Sequence, residues 1–107
     1  MARVLSAAAC ACVLSPIATA RGSWPTPPSW WMQDAACIAW HESTNDPDNV
    51  QNPGYRGLYQ IGWSEWASVG GSGDPANASR GEQTWRAWLL WLRRGWEPWT
   101  TAPACGL

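Results

Sequence analysis

Two widely spaced cysteines, Cys37 and Cys105, constrain what this chain can fold into more than any other feature. Two further cysteines, Cys10 and Cys12, lie in MARVLSAAACACVLSPIATA, residues 1–20. That stretch carries Arg3 near its start, runs through small and apolar residues from Val4 to Ile17, and closes on Ala18-Thr19-Ala20. A basic start, a short apolar run and an A-x-A end describe a secretory signal peptide, cut after Ala20. The run is too short and too rich in alanine for a good spanning helix. A rival reading is a lipoprotein signal acylated at Cys10 or Cys12, but neither cysteine follows the lipid-attachment pattern well. Cleavage leaves an even pair of cysteines in an oxidising compartment, so the expectation is one disulfide, Cys37–Cys105. A mature chain this small buries a modest core, and such chains often carry a staple. The fold must therefore bring residue 37 against the C-terminal tail.

Composition excludes some partners. The net charge is −1, every basic side chain is an arginine, and the arginines do not gather into the clustered basic face that nucleic acid requires. After the leader no second long apolar run occurs, so the mature chain is expected to be soluble, with no membrane contact; a monomer is expected. There are eleven tryptophans, two tyrosines and no phenylalanine. GC-rich codons also favour tryptophan, arginine, alanine, glycine and proline, so composition alone does not establish an aromatic binding surface.

Residues 21–29, RGSWPTPPS, read as a Pro-rich extended lead-in. Ser29 is expected to cap a first helix from Trp30 to about Ser43. Trp31, Ala35, Ile38 and Glu42 recur on one face of it. Cys37 lies about 140° round the helix from Glu42, so the disulfide and the carboxylate are expected to look different ways. Residues 44–54, TNDPDNVQNPG, are saturated with turn formers. A small hairpin is expected from Val50-Gln51 and Tyr55–Tyr59 around Asn52-Pro53-Gly54. Ser64 is expected to cap a short helix, Glu65 to Val69, stopped by Gly70-Gly71. Ser79-Arg80-Gly81-Glu82 is a capping box. The helix it opens is expected to reach Arg94 before Gly95, with Trp85, Trp88, Leu89 and Leu92 as one stripe. The tail shows no helical pattern. The expected fold class is α+β, mostly helical.

The chemistry centres on Ile38-Ala39-Trp40-His41-Glu42-Ser43. A carboxylate at a helix C-terminus feels the negative end of the helix dipole, and neighbouring indole removes water from it. Both raise its pKa, and a glutamic acid still protonated near neutral pH can donate a proton to a leaving oxygen. The bland alternative is a solvated glutamate at a frayed helix end.

Downstream residues add a resemblance. Glu42-Ser43, followed after a turn by Gly57-Leu58-Tyr59-Gln60-Ile61, resembles the E-S … G-L-x-Q-I signature of lysozyme-like lytic transglycosylases. Cys37, Trp66, Ala78-Ser79 with Glu82-Gln83, Gly95-Trp96 with Pro98-Trp99, and Cys105 follow the order found in small secreted actinobacterial relatives, the resuscitation-promoting factors and transglycosylase-like proteins. The likeness covers nearly all of residues 30–107, which would form a lysozyme-like domain. It implies cleavage of the β-1,4 bond between N-acetylmuramic acid and N-acetylglucosamine in peptidoglycan glycan strands, by a secreted, cell-wall-associated enzyme. It implies Glu42 as catalytic acid, and in a lytic transglycosylase the same glutamate then serves as base. That outcome is preferred to hydrolysis. Gln60 is implied to face the cleft and Ser43 to support the loop after the glutamate. One departure is that Thr44-Asn45-Asp46-Pro47 stands where the relatives usually carry glycines.

Asp46 and Asp48 are candidates for a second carboxylate, though turn formation beside Pro47 is the preferred reading. Calcium is not expected there, because the glycine and terminal glutamate of an EF-hand are missing. His41 is the only histidine, and no metal set is expected around it. No cofactor is expected. Tyr59, Trp63, Trp66 and Trp99 are further candidates for the substrate cleft, with Trp96 also beside a loop. Trp40, Trp85, Trp88 and Trp91 are expected in the core. A runner-up function is a non-catalytic module that binds peptidoglycan or chitin in a Trp-lined cleft.

Overall fold

The structure, a computed structural model, describes residues 23–107; the expected signal peptide lies outside them. Helix α1 spans Ser29–Ser43. Ser29 is its first residue and not its cap. Pro28 takes the N-cap position with φ −56° and ψ 146°, and its carbonyl accepts from the Trp31 and Met32 N–H groups, each at 3.0 Å. Proline's locked φ delivers an extended chain to the helix without a capping side chain. Trp31, Ala35, Ile38 and Ala39 are buried along one face, as their spacing requires. The helix ends in left-handed backbone at Thr44 and Asn45, with φ of 54° and 64°. Thr44 N–H donates to Trp40 and Asn45 N–H to Ala39, which satisfies carbonyls left free by the helix end.

Strands β1, Tyr55–Arg56, and β2, Ile61–Gly62, pair antiparallel, with Arg56 opposite Ile61. The hairpin therefore turns through Gly57–Gln60 and not through Asn52-Pro53-Gly54. Gly57 and Gln60 both adopt positive φ, 82° and 49°, and Gln60 N–H returns to the Gly57 carbonyl at 3.2 Å. A Cβ at Gly57 would collide with Gln83 Oε1, so glycine is needed there for space as well as for φ. The segment expected as the first strand forms Asx turns instead. Asn49 accepts from Gln51 N–H and Asn52 from Gly54 N–H, a local alternative to strand pairing that asparagine offers.

Helix α2 runs Trp63–Ser68 and starts directly from β2, with extended Gly62 at its N-cap. Ser64 lies inside it and does not cap it. A 3₁₀ turn, Pro75–Asn77, is capped by Asp74, which also holds Arg56 of the hairpin at 2.7 Å. Helix α3 spans Arg80–Arg94. Ser79 accepts from Glu82 N–H at 3.1 Å as the capping box requires, but the Glu82 carboxylate pairs with Arg86 at 2.8 Å. The core face of α3 is Gln83, Thr84, Ala87 and Leu90. The expected stripe was rotated from it, since Leu92 is 56% exposed. Small Ala87 lets the helix approach the core closely, while the indoles pack along its flank. Trp88 stacks on Trp91 at 5.3 Å, and Trp31 stacks on Trp96 at 5.7 Å. Trp40, also expected inside, is 60% exposed.

The tail folds back through a 3₁₀ turn, Ala102–Cys105, and Cys105 is bonded to Cys37 with a Cα–Cα distance of 6.0 Å. Gln83 ties the loops together. Its Oε1 accepts from Leu58 N–H at 2.7 Å, and its Nε2 donates to the carbonyls of Pro47 at 3.0 Å and Ala78 at 2.9 Å.

Gln83→Ala orphans these backbone groups in a buried place, and a loss of about 2–3 kcal/mol in unfolding free energy is expected by chemical denaturation. Replacing both Cys37 and Cys105 with alanine opens a loop of 68 residues. The same assay is expected to show a loss of about 4 kcal/mol on the chain-entropy estimate.

Candidate functional site

The C-terminal end of α1, the hairpin and the tail meet around a cavity of about 280 Å³. Glu42, Asn52, Tyr55, Gln60, Pro98 and Thr100 line it. Helix α1 presents Glu42 there one turn beyond Ile38, which is fully buried. Glu42 is half-buried, and Thr101 Oγ1 donates to its Oε2 at 2.7 Å. Burial pushes the Glu42 carboxyl above the ordinary glutamate range, while the Thr101 hydrogen bond and the nearby His41 charge pull it partly back. The neighbouring indole is not the source of this desolvation, because Trp40 faces solvent. The walls of the cavity, contributed by the hairpin and the tail, supply it.

Gln60 reaches the cavity from the last position of the hairpin turn. Its left-handed backbone redirects the side chain, and Nε2 donates to the Gly57 carbonyl at 3.0 Å. Glu42 and Gln60 are thus brought together, although 18 positions separate them in the chain.

The other predicted site residues divide. Ser43 is buried. Its hydroxyl lies 2.7 Å from the Leu58 carbonyl and 3.1 Å from that of Ala39, and it accepts from Asp46 N–H at 3.0 Å. It joins the helix end, the next loop and the hairpin turn, and does not open to the cavity. Tyr59 is buried with its hydroxyl 3.0 Å from Thr84 Oγ1, and burial pushes its phenol up. Trp66 and Trp99 are only 1% and 3% exposed, so neither offers a ring face to a ligand. Their indole N–H groups are spent on the carbonyls of Ser72 and Tyr59. Trp96 packs between Trp31, Trp91 and Trp99. Trp63 does expose its ring, at 45%, and donates to the Pro53 carbonyl beside the cavity residue Asn52. Asp46 accepts from Asp48 N–H and so works as a turn former; neither aspartate lines the cavity.

His41 stands near the disulfide, its ring within 4.8 Å of both sulfurs. Each sulfur is committed to the other, which leaves the imidazole as a single donor and not a metal site. The residues that sequence reasoning missed are Asn52, Tyr55, Pro98, Thr100 and Thr101. The tail could have been suspected from Cys105 alone, because bonding Cys105 to the helix that carries Glu42 must bring its preceding residues near. Nothing local marked Asn52 and Tyr55, which flank a turn-forming Pro-Gly pair.

Comparison with known proteins places the chain in a family. A family model described as "Transglycosylase-like domain" matches residues 29–102. Resuscitation-promoting factor Rpf of Micrococcus luteus is 37% identical over 75 residues, which is 70% of this chain and 30% of that protein. The chain thus spans less than a third of the length of this relative.

The raised pKa of Glu42 makes a stability prediction with a definite sign. The folded state holds the Glu42 proton more tightly than the unfolded chain does. Ionisation therefore costs folded stability as pH climbs from the ordinary glutamate value through the raised one, and no cost exists below both. Glu42→Gln is expected to be more stable than the wild type at neutral pH, with the advantage vanishing at a pH below the ordinary glutamate value. Denaturation midpoints at the two pH values check this.

Proposed function

This chain belongs to the transglycosylase-like family, and from that premise we propose that it cleaves the glycan strands of peptidoglycan, with Glu42 as the general acid. The observation that carries the reading is a half-buried carboxylic acid of raised pKa at the wall of a polar cavity. No other carboxylate lines that cavity among the described residues. Protonated Glu42 donates to the oxygen of the β-1,4 bond between N-acetylmuramic acid and N-acetylglucosamine, which lets the bond break with oxocarbenium character at the sugar. The resulting carboxylate then takes a proton from the hydroxyl of the same sugar whose oxygen attacks the anomeric carbon. The product end is a 1,6-anhydro sugar.

The absence of a second acid from the cavity wall favours this route over hydrolysis. A glycoside hydrolase of the usual kind pairs two carboxyls, about 5 Å or about 6.5–9.5 Å apart according to stereochemistry. Here Asp46 is engaged in its own loop, Asp74 is paired with Arg56 and Glu97 with Arg94. A one-carboxylate mechanism uses what the cavity holds. Gln60, fixed through its amide nitrogen, orients sugar substituents beside the acid, and the exposed ring of Tyr55 lines the same cavity. The protein acts as a secreted monomer at the cell wall, without metal or cofactor.

Digestion of purified peptidoglycan by the mature protein, with muropeptides read by mass spectrometry, tests the reading. Anhydro ends are expected from the wild type. Glu42→Gln should lower their rate of appearance by roughly 10²–10⁴-fold, the usual worth of a general acid. Reducing ends in place of anhydro ends would make the protein a hydrolase. Binding to the wall material without turnover would make it a glycan-binding module.

A further inference from the structure

The segment that crosses the site is anchored on both sides of Thr101. Two residues before it, buried Trp99 donates its indole N–H to the Tyr59 carbonyl at 2.9 Å. That carbonyl belongs to the turn that also carries Gln60. Four residues after it, Cys105 is bonded to Cys37 on α1. Between the anchors, buried Ala102 packs into the core and its N–H returns to the Trp99 carbonyl at 3.0 Å. The tail is thus a short strap from the hairpin turn to the helix, and Thr101 is the point where it touches Glu42. From this geometry we propose that Thr101 is a positioning residue for Glu42, fixing which carboxyl oxygen carries the transferable proton.

The inference rests on the reading of Glu42 as the acid. A hydroxyl that donates to Oε2 occupies that oxygen and holds the carboxyl plane. The proton of the acid form then sits on Oε1. Such preorganisation matters because a proton donor must lie within hydrogen-bond reach of the atom that it protonates. The strap supplies the hydroxyl without adding charge. Pro98, Thr100 and Thr101 are neutral, so the tail orients Glu42 without drawing it into an ion pair. The titratable groups near the carboxyl are His41 on its own helix and Tyr55 on the hairpin. The acids of adjoining segments face elsewhere: Asp46 toward Asp48 N–H, Glu97 toward Arg94 and Asp74 toward Arg56.

The test compares Thr101→Val, which keeps the shape and removes the donor, with Thr101→Ser, which keeps the donor. The Glu42 carboxyl carbon is titrated by NMR in the ¹³C-labelled mature protein, and kcat on peptidoglycan is followed against pH. In Thr101→Val the Glu42 titration and the basic limb of the kcat profile should both move up by about one pH unit, the worth of a hydrogen bond to a charged group. The maximal kcat should fall several-fold, with KM little changed. Thr101→Ser should restore titration, limb and rate. A structural role alone would lower stability without moving either titration. Glu42 titrating at the wild-type value in Thr101→Val overturns the proposal, and so does a moved titration with undiminished kcat. Activity surviving in Glu42→Gln removes the acid reading and this proposal with it. An inactive Glu42→Gln beside an unaltered Thr101→Val overturns this proposal alone.

Discussion

The bond between Cys37 and Cys105 closes the tail onto the first helix, and the site exists because of that closure. Cys37 lies five residues before Glu42, on a different side of the same helix. A tail bonded there has to pass the helix end on its way back from α3. In passing, it buries Trp99, places Pro98 and Thr100 on the cavity wall and sets the Thr101 hydroxyl on the carboxylate. One covalent constraint thus becomes a wall, a source of desolvation and a hydrogen bond. Its effect on folding is of the same origin, since a long loop is closed in the unfolded chain as well.

The remaining wall depends on buried polar side chains that connect backbone. Gln83 holds three backbone groups from three segments, and Ser43 holds the helix end to the hairpin turn. Leu58 and Tyr59 of the hairpin turn are buried in the core, and these polar clamps fix the backbone around them. The tryptophans have the complementary task. Trp31, Trp88, Trp91, Trp96 and Trp99 form a continuous set of edge and stacked contacts that fills the space between α1, α3 and the tail. Large rings fill volume well but satisfy polar edges imperfectly. The buried indole nitrogens of Trp31 and Trp91 have no hydrogen-bond partner among the described residues, a cost that the burial of so much aromatic surface offsets.

Much of this is legible in the sequence. The two long helices, the capping serine of α3, the disulfide and the placement of Glu42 follow from periodicity, capping chemistry and cysteine arithmetic, which are local or nearly so. The errors have a common cause. Gly57-Leu58-Tyr59-Gln60 looked like strand because of its aromatic and branched residues, yet Gly57 and Gln60 take positive φ under the clamp of Gln83. Trp66 and Trp99 looked like sugar platforms because they adjoin loops, yet both are buried by segments distant in sequence. Trp40 looked like core because it sits in an apolar helix, yet its side of that helix is exposed among the described residues.

By itself, the sequence determined the helices, the staple between residues 37 and 105, and a carboxylic acid at the end of the first helix. Each depends on contacts within a few residues or, for the staple, on the pairing of the two cysteines that lie beyond the first twenty residues. Only the tertiary structure decided which of the acid's neighbours share its cavity. The neighbours that do, Gln60, Tyr55 and Thr100, arrive from the hairpin and the folded-back tail, and the same tail sets Thr101 on the carboxylate. Their positions depend on long-range hydrogen bonds and on the exclusion of water by several segments at once. A pKa shift by burial is likewise a property of the assembled walls, which no single stretch of chain contains.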